Sequence, residues 1–177
     1  MGAFKMESTE LPLGGEAVTM DTLTVYGFSF QFPSTSALEF NPKFKREGGD
    51  VAVKSPEKAV VFFSWGDLAK LEKRALTLEA HAKFSMEKVK KSVQGNLRQL
   101  ESREVDVNGH TALFNRVSVV VPRRGFFGKG HEQEVTSVHL HCKESGRYFV
   151  IYATSTDTNA DKQARTMQDI IDSLRCH

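Results

Sequence analysis

Apolar and polar positions alternate along most of this chain, and the alternation is interrupted by one long stretch of helical spacing in the middle and another at the end. In "LTVYGFSFQFP", Leu23, Val25 and Gly27 fall on one side and Phe28, Phe30 and Phe32 on the other. Period two with branched and aromatic residues predicts a strand, and Pro33, with no N–H for a ladder, ends it. "GGDVAV" and "AVVFFSW" follow the turn signals Gly48-Gly49 and Ser55-Pro56 and predict an antiparallel meander. From about 67 to 102 the spacing changes to three and four. Leu68, Leu71 and Ala75 give one stripe, and Met86, Val89, Val93, Leu97 and Leu100 a second, with Ser85 as its N-cap. Period two returns in "REVDVNGHTALFNRVSVVV", where Asn108-Gly109 signals a hairpin. "EVTSVHLHC" and "RYFVIYATS" are two further strands, joined through Glu144, Ser145 and Gly146. The closing "DTNADKQARTMQDIIDSL" predicts a helix capped by Thr158 or Asn159, with Ala160, Ala164, Met167, Ile170, Ile171 and Leu174 on its buried stripe.

The order of elements predicts an α+β fold. Hairpin connections give a central, mostly antiparallel sheet of about six to seven strands. Strands that are apolar on both sides, such as "RYFVIYA", call for helices on both faces, a three-layer α/β/α sandwich. Residues 1–20 carry no periodicity and read as a loosely ordered lead-in to one domain over 21–177. A chain of 177 residues buries about 70% of its unfolded surface, and thirteen phenylalanines predict a core rich in aromatic rings.

Several local phrases, taken in order, carry a resemblance. They are "GFSFQFP", "VDVNGHTAL", "SGRYFVIYATS" and the closing "IIDSLRC", and they cover roughly 22–176. The chain resembles the superfamily that holds the PsbP extrinsic proteins of photosystem II, the DcrB envelope proteins and the Ran guanine-nucleotide release factors. The resemblance implies a fold with no shared enzymatic chemistry, whose members mostly act as binding or assembly factors.

Composition narrows the function classes. The net charge of +2 does not argue for nucleic acid. No apolar run reaches the length of a membrane span, and the N-terminus has no signal-peptide h-region, which points to the cytoplasm; a removed export signal would leave the same pattern. No catalytic motif is present, so the reading is non-enzymatic. The two cysteines, Cys142 and Cys176, lack the C-x-x-C spacing of a metal framework; in an exported protein they could pair, and in a reducing cytoplasm they would stay thiols.

The stretch 122–131 is the strongest candidate for a binding surface. Arg123, Arg124 and Lys129 supply charge beside Phe126 and Phe127, and glycines let the backbone bend. Arginine beside exposed aromatic rings suits a protein partner with an acidic surface. A membrane surface, or a phenylalanine folded back as a plug, are the alternatives. "GFFG" within it matches the G-x-x-G clamp of RNA-binding KH domains, but strands flank it where that clamp needs helices. The helical region 66–103 has nine lysines and arginines against five acids and reads as a solvated face or a steering surface.

The second candidate is metal or small-ligand binding. His139 and His141 share one face of a strand and would offer two ligands to a divalent metal, with a third required from His110 or His131. Cys142 points to the opposite face. The neighbouring Cys176 and His177 invite a nucleophile reading, but adjacent residues rarely orient for proton transfer.

Overall fold

The structure is a computed structural model, and it describes residues 5–11, 18–71, 75–93, 96–121, 131–155 and 159–177. Ten strands and two α-helices are described. A three-stranded antiparallel sheet holds β1 (Lys5–Leu11), β2 (Val18–Val25) and β3 (Phe28–Pro33). A seven-stranded sheet runs in the order β4 (Ala37–Phe40), β5 (Gly48–Lys54), β6 (Val60–Asp67), β10 (Arg147–Ser155), β9 (His131–Cys142), β8 (His110–Val121) and β7 (Asn96–Val107). Every pairing in both sheets is antiparallel. Helix α1 (Leu78–Val93) packs on one face of the large sheet. Helix α2 (Ala160–Ser173) and the small sheet cover the other. This is the α+β architecture with helices on both faces that the periodicity predicts.

The parity of β9 and β10 decides what each face holds. In register, Phe149 pairs with Leu140 and Ile151 with Val138, and these point to the α2 side. There the aromatic core forms. Phe28 and Phe30 of β3 stack on Phe63 of β6, and Phe28 meets Phe149 edge-on with ring centroids 5.3 Å apart. Arg147 lies over the Phe28 ring and donates to the Tyr26 carbonyl at 2.7 Å, which ties the small sheet to the large one.

The structure departs from the sequence reading in several places. "LTVYGFSFQFP" is two strands, because Tyr26 and Gly27 at φ 51° and 89° make a tight hairpin turn where the side-chain phase changes. Residues 5–11 form β1, whose described side chains are exposed and so carry no apolar period. Ser85 sits inside α1; the helix starts after Thr77, whose Oγ1 accepts from the Ala80 N–H at 3.2 Å. Leu97 and Leu100 belong to β7, where Leu97 pairs with Val119 and a bulge follows Gln99. Pairing to the long β8 overrides the three–four spacing there. In α2 the buried positions are Gln163, Thr166, Met167 and Ile170, and Ala164 is exposed.

Asn108 links three parts of the fold. Its φ of 52° serves the β7–β8 turn, and its Nδ2 donates to the carbonyls of Asp172 at 3.1 Å and Leu174 at 2.8 Å, closing the end of α2 onto the sheet. Asn108→Gly keeps the left-handed backbone and removes the two hydrogen bonds; Asn108→Ala removes both. Urea unfolding is expected to show a loss of about 1–2 kcal/mol for the glycine variant and roughly 1 kcal/mol more for alanine. Wild-type stability in both would contradict this linking role.

Candidate functional site

The face of the sheet under α1 carries a cleft of about 490 Å³, whose lining includes His81, Met86, Val89, Val119, His139 and Tyr148. The sheet supplies its floor by parity. Val135, Ser137, His139 and His141 alternate along β9, and Tyr148, Val150 and Tyr152 along β10. Gly66 of β6 faces Tyr148 in register, and a β-carbon there would collide with the Tyr148 ring. The roof is α1, with His81, Ser85 and Val89 one turn apart on its inner side.

His139 and His141 do share a face, as the strand period requires, and the residue that joins them is His81. Its Nδ1 lies 3.1 Å from His141 Nε2, and its ring meets His139 edge-on, with centroids 5.0 Å apart. His139 is fully buried; its Nε2 contacts Ser137 Oγ at 3.3 Å, and its Nδ1 has no hydrogen-bond partner among the described residues. His110, considered as a third ligand, lies on the opposite face, and the side chain of His131 is outside the described residues. The sequence reading missed His81, because taking Ser85 as the N-cap left His81 outside the helix that in fact starts at Leu78.

Burial keeps these imidazoles neutral. It pushes His139 down to about 3 and His81 down to about 4, and the neighbouring rings and Lys88 add to the effect on His81. Burial also lowers His141, against the pull of Glu79. The cluster is therefore an uncharged set of donors and acceptors at neutral pH.

Beneath α2 lies a second cleft, of about 510 Å³. On its rim Arg116 reaches Glu134 at 3.9 Å and, outside the lining, Glu101 at 3.8 Å. At the end of the same face, Cys142 and Cys176 meet as free thiols, together with His110 and His177. Burial, then the Cys142 thiol beside it, pushes the Cys176 thiol up to about 12, the reverse of what a nucleophile needs. Arg123, Arg124, Phe126, Phe127 and Lys129 lie outside the described residues. The strands they join, β8 and β9, end at Val121 and begin at His131, beside the α1 end of the cleft.

No protein-family model matches the sequence, and no curated protein is significantly similar to it. Solved structures are similar in fold. The solution structure of cyanobacterial PsbP (CyanoP) from Synechocystis sp. PCC 6803 superposes with a TM-score of 0.63 at 13% identity, over 86% of this chain and 88% of that one. The Ran-binding protein Mog1p of Saccharomyces cerevisiae gives 0.53 at 10% identity, over 97% and 96%. A Pseudomonas aeruginosa protein of unknown function, PA94, gives 0.50 at 11% identity, over 96% and 97%. The chain shares the fold of these proteins, and identities this low speak to fold alone.

The neutral histidines set a pH dependence. His81 and His139 bind protons near 6.5 when unfolded and only at about 4 and about 3 when folded. Between those limits the unfolded chain holds more protons, so stability is full above about pH 6.5 and falls as pH drops. Lys88, Glu79, His141 and Tyr148 also face the cluster and keep their contribution in a His81→Gln/His139→Gln variant. Denaturant midpoints measured from pH 7 to pH 4 should fall more steeply for wild type than for that variant. Parallel profiles would show that the two rings are not held neutral by the fold.

Proposed function

We propose that the chain is a non-enzymatic binding protein that takes an acidic protein surface at the end of the β8–β9 pair. The contact is made by Arg123, Arg124, Phe126, Phe127 and Lys129, together with the basic last turn of α1. One observation carries this reading. Asn96, three residues beyond the end of α1, pairs with Val120. That register sets the α1 end, with Lys90 and Lys91 in its last turn, beside the strand end that leads into residues 122–130. The α1 lysines thus stand near exposed Val120, at the strand end that leads into the second basic segment. Clustered positive charge speeds encounter with an acidic partner, and aromatic and arginine side chains hold it. Support also comes from Mog1p, a protein of similar fold described as Ran-binding.

A second reading rests on His139. A fully buried imidazole nitrogen with no partner among the described residues, in the lining of an open cleft of about 490 Å³, suits a small polar ligand that accepts from or donates to it.

The test is affinity capture from native extract, followed by binding measurements on the purified partner. The wild type is compared with Arg123→Ala/Arg124→Ala/Phe126→Ser/Phe127→Ser and, separately, with Lys90→Glu/Lys91→Glu. Both variants are expected to lose tenfold or more in affinity, and wild-type affinity should fall as salt rises. Capture of the same partner with unchanged affinity would remove this surface from consideration. Sedimentation with anionic vesicles, lost in the phenylalanine variant, would point to a lipid surface instead.

A further inference from the structure

After α2 the chain turns back into the fold and is held from two sides. Asn108 binds the carbonyls of Asp172 and Leu174, and Ser29 and Arg175 exchange backbone hydrogen bonds at 2.8 and 2.7 Å. These contacts carry Cys176 into the core, where it is 3% exposed. The large sheet brings the other half of the cluster. Ala112 pairs with Leu140, and the same register carried two residues further sets His110 opposite Cys142, itself fully buried.

Four potential ligands converge there. Cys176 Sγ lies 3.3 Å from His110 Nε2 and 3.4 Å from His177 Nδ1, and Cys142 Sγ lies 3.6 Å from His177 Nδ1. All four donor atoms fall within 4.8 Å of one another. In a tetrahedral site with sulfur at about 2.3 Å and nitrogen at about 2.0 Å from the ion, a sulfur–nitrogen edge measures about 3.5 Å. Three of the four sulfur–nitrogen edges in the cluster scatter around that value. Thiol hydrogen bonding alone accounts poorly for the arrangement. Each thiol has one weak proton to give, yet Cys176 Sγ faces two ring nitrogens and the Cys142 thiol at once.

The surroundings fit a metal as well. His110 turns Nε2 to the sulfur, and its other ring nitrogen, Nδ1, faces the Glu144 carboxylate at 3.8 Å. A metal-bound imidazole needs that polarity, with a carboxylate behind the ring to orient it and raise its basicity. Cys142 and Cys176 are buried and His177 is exposed, so an ion has a way in while the thiolates are shielded from oxidants.

We propose that His110, Cys142, Cys176 and His177 form a structural zinc site. The two thiols release their protons on binding, so two thiolates balance the charge of the divalent ion and two imidazoles complete a closed tetrahedron. The ion joins the β8–β9 end of the sheet to the chain beyond α2. The site stands on different residues from the partner-binding surface and is independent of it.

The test uses the reduced full-length protein and cobalt(II) as a spectroscopic stand-in for zinc. One equivalent of cobalt is expected to give the intense visible bands of tetrahedral coordination and a near-ultraviolet thiolate charge-transfer band, both bleached by one equivalent of zinc. Cys176→Ser and Cys142→Ser should each lose intensity in both. His177→Ala alters only an exposed side chain, so its fold is safe; it should bind zinc at least about tenfold more weakly in chelator competition. His139→Ala/His141→Ala should leave the spectrum unchanged. Absence of tetrahedral bands in the reduced wild type would overturn the proposal. So would bands that survive both cysteine substitutions, or bands abolished by the His139/His141 pair and untouched by His177→Ala.

Discussion

The whole molecule depends on covering the β9–β10 pair from both sides. These two strands lie inside the large sheet, so every residue along them needs cover, and neighbouring residues need it from opposite layers. The α2 side is met by the small sheet, whose Phe28, Phe30 and Phe32 are almost completely buried against Phe63, Trp65 and Phe149. Tilted and edge-on rings fill that layer densely, each pair contributing about 0.5–1.5 kcal/mol beyond burial. The α1 side is met by one helix, and its apolar patch is small: Val117, Val119 and Val135, with Met86, Val89 and Leu97 against them. Elsewhere on that side polar rings do the covering, and the cleft remains.

This unequal cover explains why the chemistry falls where it does. His141 and Cys142 are neighbours in sequence, yet parity sends one to the polar α1 cleft and the other to the end of the aromatic core. His81 and His139 are tolerated inside because they stay neutral and touch other rings. Cys142 and Cys176 are tolerated because a thiol buries at little cost. A one-residue slip of β9 would exchange the two sets and leave imidazoles against phenylalanine, so the register is firmly specified.

Most strands of the large sheet, their hairpins and the closing helix were legible because each carries a local signal (period two, Asn108-Gly109, or an apolar stripe), whereas β1 and the short β4 were not read. The turn at Tyr26-Gly27 was written in the change of phase from Val25 to Phe28 and was read as one strand. The start of β7 was not legible, because Leu97 fits helical spacing as well as it fits pairing with Val119; only the long partner strand decides. The His139–His141 face could be read from strand parity, but its contact with His81 spans a helix-to-sheet packing that no local pattern encodes. The cluster of Cys142, Cys176, His110 and His177 was hidden for the same reason. Cys142 and His110 lie 34 and 66 residues before Cys176, and a C-x-x-C rule looks only at neighbours.

Strands β8 and β9 also set the distance between the two ends of the molecule. Each has 12 residues, so each strand runs about 37 Å. His110 and Cys142 stand at one end, and residues 122–130 leave and re-enter at the other. The end that receives the chain after α2 is fixed by backbone bridges, the Asn108 hydrogen bonds and buried thiols, so it has little freedom to adapt to a partner. The far end is edged by exposed Val120 and the basic turn of α1, and among the described residues the buried side chains near it are those of the small valine patch under α1 rather than the aromatic core. A fold built this way concentrates its fixed contacts at one end of a rigid ladder, and the surface we propose for a partner stands at the other.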